Sequence, residues 1–118
     1  LPEDLPLGLG HGDYAMRNIL VGENDRVTAF DTCAKWRVPI YEDIAYFLNQ
    51  LDTNGLQVIT QGLAFHPENT AAYQNAFLAG YFGDSPVPTQ VIRLFKIQWL
   101  LDSFHWREAM RVFASVRM

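Results

Sequence analysis

The 118 residues carry 49% hydrophobic and 14% aromatic side chains, which excludes a disordered chain and suits one domain or part of one. A formal charge of −4 argues against nonspecific nucleic-acid binding and is mildly compatible with a cationic substrate. Cys33 is the sole cysteine, so no intrachain disulfide forms. With no signal-peptide pattern and no apolar run long enough to cross a membrane, the expected location is the cytoplasm.

Leu5 to Leu9 is apolar and runs into Gly10, the pattern of a short strand feeding a loop. Two further apolar runs, Ile19–Val21 and Val27–Phe30, flank the turn cluster Gly22-Glu23-Asn24-Asp25 and predict a β-hairpin. His11, Asp13 and Asn18 lie on the loop before the first hairpin strand, and Asp31 closes the second. Antiparallel pairing brings those two ends to one mouth. Thr32 to Pro39 is read as a loop, with Trp36 packed against the rest of the chain and Cys33 a half-buried spectator.

Glu42 to Leu51 predicts a helix with Ile44, Phe47, Leu48 and Leu51 on one face and Asp43 in its first turn, where the helix dipole favours a carboxylate. Asn54-Gly55 marks a turn, and Leu56 to Phe65 is open between a short helix and irregular chain. A helix is predicted from Pro67 or Glu68 to about Phe82, with Tyr73, Ala76, Phe77 and Tyr81 as its apolar stripe and Gly83 as its stop. Thr89 to about Val116 reads as a helix with a break near Ser103. Ile92, Phe95, Trp99, Trp106, Met110 and Phe113 form one seam, and Val91, Leu94, Leu101 and Phe104 another. A helix apolar on several sides is expected inside a bundle. His105 and Trp106 are weighed as pocket-lining residues and read as core.

The chemistry lies in the loop and hairpin. Asp13 offers a base, while Asn18 and Asp31 offer hard oxygens of the kind that holds magnesium on a nucleotide. Taken alone, His11 is a hydrogen-bonding brace and Asp31 a strand cap. In combination, His11-Gly12-Asp13, Asn18 five residues after Asp13, Ile19-Leu20-Val21, a turn and a strand ending in Asp31 resemble the aminoglycoside phosphotransferase and choline kinase family, relatives of the protein kinases. The resemblance runs from Leu7 to Leu51 and weakens beyond.

The resemblance implies an α+β fold, the mainly helical C-terminal lobe of a protein-kinase-like structure with a small β-hairpin carrying the catalytic loop. It implies that Asp13 is the catalytic base, that Asn18 and Asp31 bind Mg2+ and the ATP phosphates, and that His11 and Asp43 support the loop. The activity implied is transfer of the ATP γ-phosphate to a hydroxyl of a small molecule: an aminoglycoside, choline or ethanolamine, or something sugar-like. Residues 1–118 then form the C-terminal, substrate-binding lobe, whose partner is an ATP-binding N-terminal lobe of the same protein. The only lysines, Lys35 and Lys96, are placed on no strand of such a lobe. Alone, the chain is expected to be inactive and to self-associate through surface near Leu5–Leu9.

Two departures stand out. Ala15-Met16-Arg17 replaces the His-Pro-Gly common before the Asn, and Thr32-Cys33-Ala34 after Asp31 lacks the carboxylate many members carry there. Two other functions fit the same residues. One is a non-catalytic kinase-like binding module; the other is a metal-dependent phosphate-ester hydrolase, which the lack of a His-rich or further Asp-rich cluster disfavours.

Overall fold

The computed structural model describes residues 4–53 and 67–116, with residues 67 and 106–116 described by backbone alone. In chain order the elements are β1 (Leu7–Gly10), β2 (Ile19–Val21), β3 (Val27–Ala29), β4 (Lys35–Pro39), α1 (Tyr41–Asp52), α2 (Pro67–Phe82) and α3 (Thr89–Val116). The architecture is α+β: the three helices pack together, and two small antiparallel sheets pair β1 with β4 and β2 with β3.

The β2–β3 hairpin has Ile19 opposite Ala29, Leu20 opposite Thr28 and Val21 opposite Val27. Its turn over Glu23–Asp25 is closed by the Arg26 N–H donating to the Glu23 carbonyl at 3.4 Å, with Asn24 and Asp25 at positive φ of 59° and 57°. Asn and Asp tolerate that conformation better than other side chains, so the turn composition closes the hairpin.

The second sheet corrects the sequence reading. Residues 32–39 were expected to be loop, yet Lys35–Pro39 is a strand, with Leu7 opposite Pro39, Gly8 opposite Val38 and Gly10 opposite Lys35. Two features hid it. Arg37 sits at φ 53° beside a register shift, which breaks the alternation by which a strand is recognised. The partner strand owes its close approach to glycine, since a Cβ on Gly10 would stand 2.6 Å from Val38 Cγ2. Lys35 is thereby on a strand, and Trp36, expected to pack, is 78% exposed. Cys33, expected half-buried, is exposed.

The core is built on α1. Ile44, Ala45, Leu48 and Leu51 are buried with Ile92 of α3, and Phe47, Phe77, Leu78, Phe82 and Phe95 close around them. Polar bonds tie the three helices together. Asp52 accepts from Lys96 Nζ at 2.8 Å and from Gln74 Nε2 at 2.7 Å, and the buried Asn49 amide donates to the Lys96 carbonyl at 3.1 Å.

The faces of α2 and α3 differ from expectation. Of the expected α2 stripe Phe77 packs on the core, while Tyr73, Ala76 and Tyr81 are exposed and Leu78 and Phe82 turn inward in their place. Apolar residues surround α2, so spacing alone does not select a buried face. α3 continues through Ser103 without a break. Its Ile92, Phe95 and Trp99 side meets the body of the fold; of the other seam Val91 is buried, while Leu94, Leu101 and Phe104 are exposed rather than enclosed in a bundle. The Asn54-Gly55 turn, the open reading of residues 56–65, and the side chains of Trp106, Met110 and Phe113 lie outside the described residues. Among the described residues, no helix is long and apolar enough to cross a membrane.

Candidate functional site

The loop from His11 to Asn18 has no ladder of its own, so its backbone must find partners elsewhere. Asp43, in the first turn of α1, provides two: Oδ2 accepts from the His11 N–H at 2.5 Å and Oδ1 from the Gly12 N–H at 3.0 Å. Gly12 supplies a φ of 84°, and a Cβ there would come within 2.9 Å of Cys33 Cβ. On the far side the His11 carbonyl accepts from Cys33 N at 2.8 Å and Thr32 Oγ1 at 3.2 Å. The His11 ring spans the gap to the hairpin. Nε2 lies 2.9 Å from the Phe30 carbonyl, which can only accept, and Nδ1 faces the Asp13 N–H at 3.3 Å. These partners select the tautomer with its proton on Nε2. Tyr14 then lays its ring against Phe47 of α1, with centroids 5.4 Å apart.

After this anchored start the chain makes a 3-10 turn over Met16–Asn18 and enters β2. Asn18 is 4% exposed. Its amide donates to the Asp13 carbonyl at 2.8 Å and to Asp13 Oδ2 at 3.0 Å. Two acceptors on one side fix the amide orientation, so Nδ2 faces Asp13 and Oδ1 faces away, with no described residue donating to it.

Asp13 is the most heavily bonded side chain of the loop. Arg17 Nη2 bridges both its oxygens, at 2.6 and 2.7 Å, and the Tyr46 hydroxyl donates to Oδ1 at 2.7 Å. With Asn18 this makes four donor contacts, two on each oxygen, which fill the roughly four lone-pair sites of a carboxylate. Burial works against ionisation of Asp13. The bonds from Tyr46, Arg17 and Asn18, with the charge of Arg17, outweigh it and hold the carboxyl below its ordinary value. Burial and the bond to Asp13 push the Tyr46 phenol above its ordinary value, so it remains a donor.

Asp31 follows β3. The ladder continues one step beyond the strands, Phe30 N–H donating to the Asn18 carbonyl at 3.0 Å, and Asp31 then takes φ 58° and turns out, exposed. The structure thus joins Asp13 to Asn18 directly and brings Asp31 to the same hairpin end through the backbone. No hydrogen bond or ion pair links Asp31 to a described residue. Among the described residues, no group of three or more His, Cys, Asp or Glu side chains could hold a metal. Of the residues singled out from sequence, Asn18 through Oδ1 and Asp31 through its carboxylate keep oxygens with no described donor, and both are hard oxygens of the type magnesium takes.

Beside the loop lies a cavity of about 280 Å³ whose walls include Gly12, Lys35, Glu42, Tyr46, Trp99 and Asp102. His105, weighed above as a pocket residue and read as core, does not belong to the core: it is exposed and edge-on to Phe104. Two residues of the site were missed from sequence, Arg17 and Tyr46. Arg17 carried a signal in its spacing of four from Asp13. Tyr46 carried one in its spacing of three from Asp43, which sets both on the same face of α1. No protein-family model, curated protein or solved structure matches the chain.

Proposed function

We propose that this chain carries the phosphoryl-transfer site of a small-molecule kinase that moves the γ-phosphate of ATP to an alcohol, in the manner of the aminoglycoside phosphotransferase and choline kinase family. The observation that carries the reading is the Asn18–Asp13 bond at the hairpin end from which Asp31 emerges. The loop that Asp43 clamps through two backbone bonds offers a base and a carboxamide oxygen there, and Asp31, just after β3, offers a free carboxylate.

In this mechanism Asp13 orients the attacking hydroxyl and accepts its proton. Asn18, through Oδ1, and Asp31 are the residues that would hold magnesium. Bound there, magnesium would neutralise the charge of the transferring group. His11 and Asp43 keep the loop rigid, which matters because positioning provides most of the acceleration in this chemistry.

The intact protein, assayed for ADP formation from Mg-ATP, tests the proposal. Asp13→Asn is expected to lower turnover by about 10²–10⁴-fold, the range for loss of a general base, with nucleotide affinity nearly unchanged. Asp31→Asn is expected to weaken Mg-ATP binding instead. The four donor contacts on the Asp13 carboxylate favour a second reading, a non-catalytic binding module whose Asp13 is a structural ion-pair partner. Equal ADP formation by wild type and Asp13→Asn decides for that module.

A further inference from the structure

We propose that Tyr46 is a positioning residue that fixes the carboxylate of Asp13 relative to the helical body, so that it meets the acceptor alcohol in a defined orientation. The inference rests on the phosphotransfer reading. Among the described residues, three donate to the Asp13 carboxylate. Arg17 and Asn18 belong to the same 3-10 turn as each other and move with the loop. Tyr46 alone comes from α1, 33 residues away along the chain.

Its geometry suits the task. Asp43 and Tyr46 are three residues apart on α1 and share a face. One face of one helix therefore grips the loop twice, by its backbone through Asp43 and by its carboxylate through Tyr46. The phenol ring is itself braced, edge-on to Trp99 of α3 with centroids 5.3 Å apart and planes at 71°. Tyrosine has few rotatable bonds to immobilise, so a packed ring carries its hydroxyl to a defined point. Arg17 is different: its side chain is 58% exposed on a long flexible stem, and it touches both Asp13 oxygens through a single nitrogen.

The division of labour follows from the filled lone-pair sites. An acceptor hydroxyl needs one of them, so one donor must leave. Arg17 is the exchangeable one, because its guanidinium is exposed and the phosphates of a nucleotide compete for it. Tyr46 stays, because its ring is packed against Trp99 and its hydroxyl keeps its bond to Asp13 Oδ1. The alcohol then donates its hydrogen bond to Asp13. As its oxygen bonds to the γ-phosphorus, the bond from that phosphorus to the β,γ-bridging oxygen breaks. The proton passes to Asp13, and ADP leaves with the electron pair.

The test is Tyr46→Phe in the intact protein, which removes the hydroxyl and keeps the ring against Trp99. ADP formation from Mg-ATP is measured with kanamycin, choline, ethanolamine and glucose as acceptor probes and with water alone, alongside Asp13→Asn. The expected result is a fall in kcat of about tenfold, the effect of one hydrogen bond to a charged group, with the KM for Mg-ATP within about twofold. Turnover that Asp13→Asn abolishes and Tyr46→Phe leaves intact overturns the inference and spares the kinase reading. A Tyr46→Phe loss matched by a rise in the KM for Mg-ATP also overturns it, since the residue would then act through nucleotide binding. Wild type that forms no ADP with any probe or with water overturns the kinase reading and this inference with it.

Discussion

Asp13 holds its charge through neighbours that exist only in the folded chain, and this gives its contribution to stability a definite sign with pH. Its folded value lies below the ordinary one. The stabilisation from Tyr46, Arg17 and Asn18 is therefore fully present above the unfolded-state value of about 3.9 and is lost as the pH falls through the lower folded value. Urea unfolding should show wild type more stable than Asp13→Asn near neutral pH, with the two converging as the pH drops below about 4. A gap that widens in acid would contradict this. Asp43 sits one step back from Asp13, accepting two backbone bonds. Asp43→Ala should lower stability by about 1.5–3 kcal/mol, the range for a hydrogen bond to a charged group, and an unchanged unfolding midpoint would reduce it to an ordinary helix-start acid.

At the scale of elements, the β1–β4 sheet depends on absent side chains. A methyl group on Gly10 has no room beside Val38, so Gly10→Ala should cost about 1–3 kcal/mol, as overpacking does. Val38→Ala in the same chain should restore much of the loss, and a double-mutant cycle in urea measures the coupling. Elements whose signals are local were legible in the sequence. The hairpin was, because two apolar runs flank Gly22-Glu23-Asn24-Asp25 at a spacing that closes a turn, and α1 was, because its buried stripe repeats with the helical period. β4 was not, because Arg37 breaks its alternation and its partner strand lies far back in the chain. The outward faces of α2 and α3 were not either, because apolar residues around a helix do not say which side finds a neighbour.

At the scale of the whole molecule, much apolar surface stays in contact with solvent. Leu7, Leu9, Leu20, Val21, Val27 and Trp36 on the strands, and Leu94, Ile97, Leu101 and Phe104 on α3, are all exposed. Short strands with open edges pair readily with other chains, and exposed apolar side chains of this size add to that tendency. The chain by itself should self-associate. Light scattering across a concentration series is expected to show a mass that rises with concentration, and a monodisperse monomer at high concentration would refute the expectation.

Read by itself, the sequence determined the order and spacing of the loop residues. His11, Asp13 and Asn18 precede a hairpin and Asp31 ends it, and antiparallel pairing then requires the two ends to meet. Those relations are local, set by turn chemistry and strand period, so they survive without knowledge of the rest of the chain. Only the tertiary structure decided what surrounds Asp13. Tyr46 reaches it because α1 packs where Asp43 can clamp the loop, and Trp99 braces Tyr46 because α3 lies along α1. The physical reason is separation: a hydrogen bond between residues 33 apart leaves no periodic mark on either, and it forms only after the core has placed the two backbones within reach.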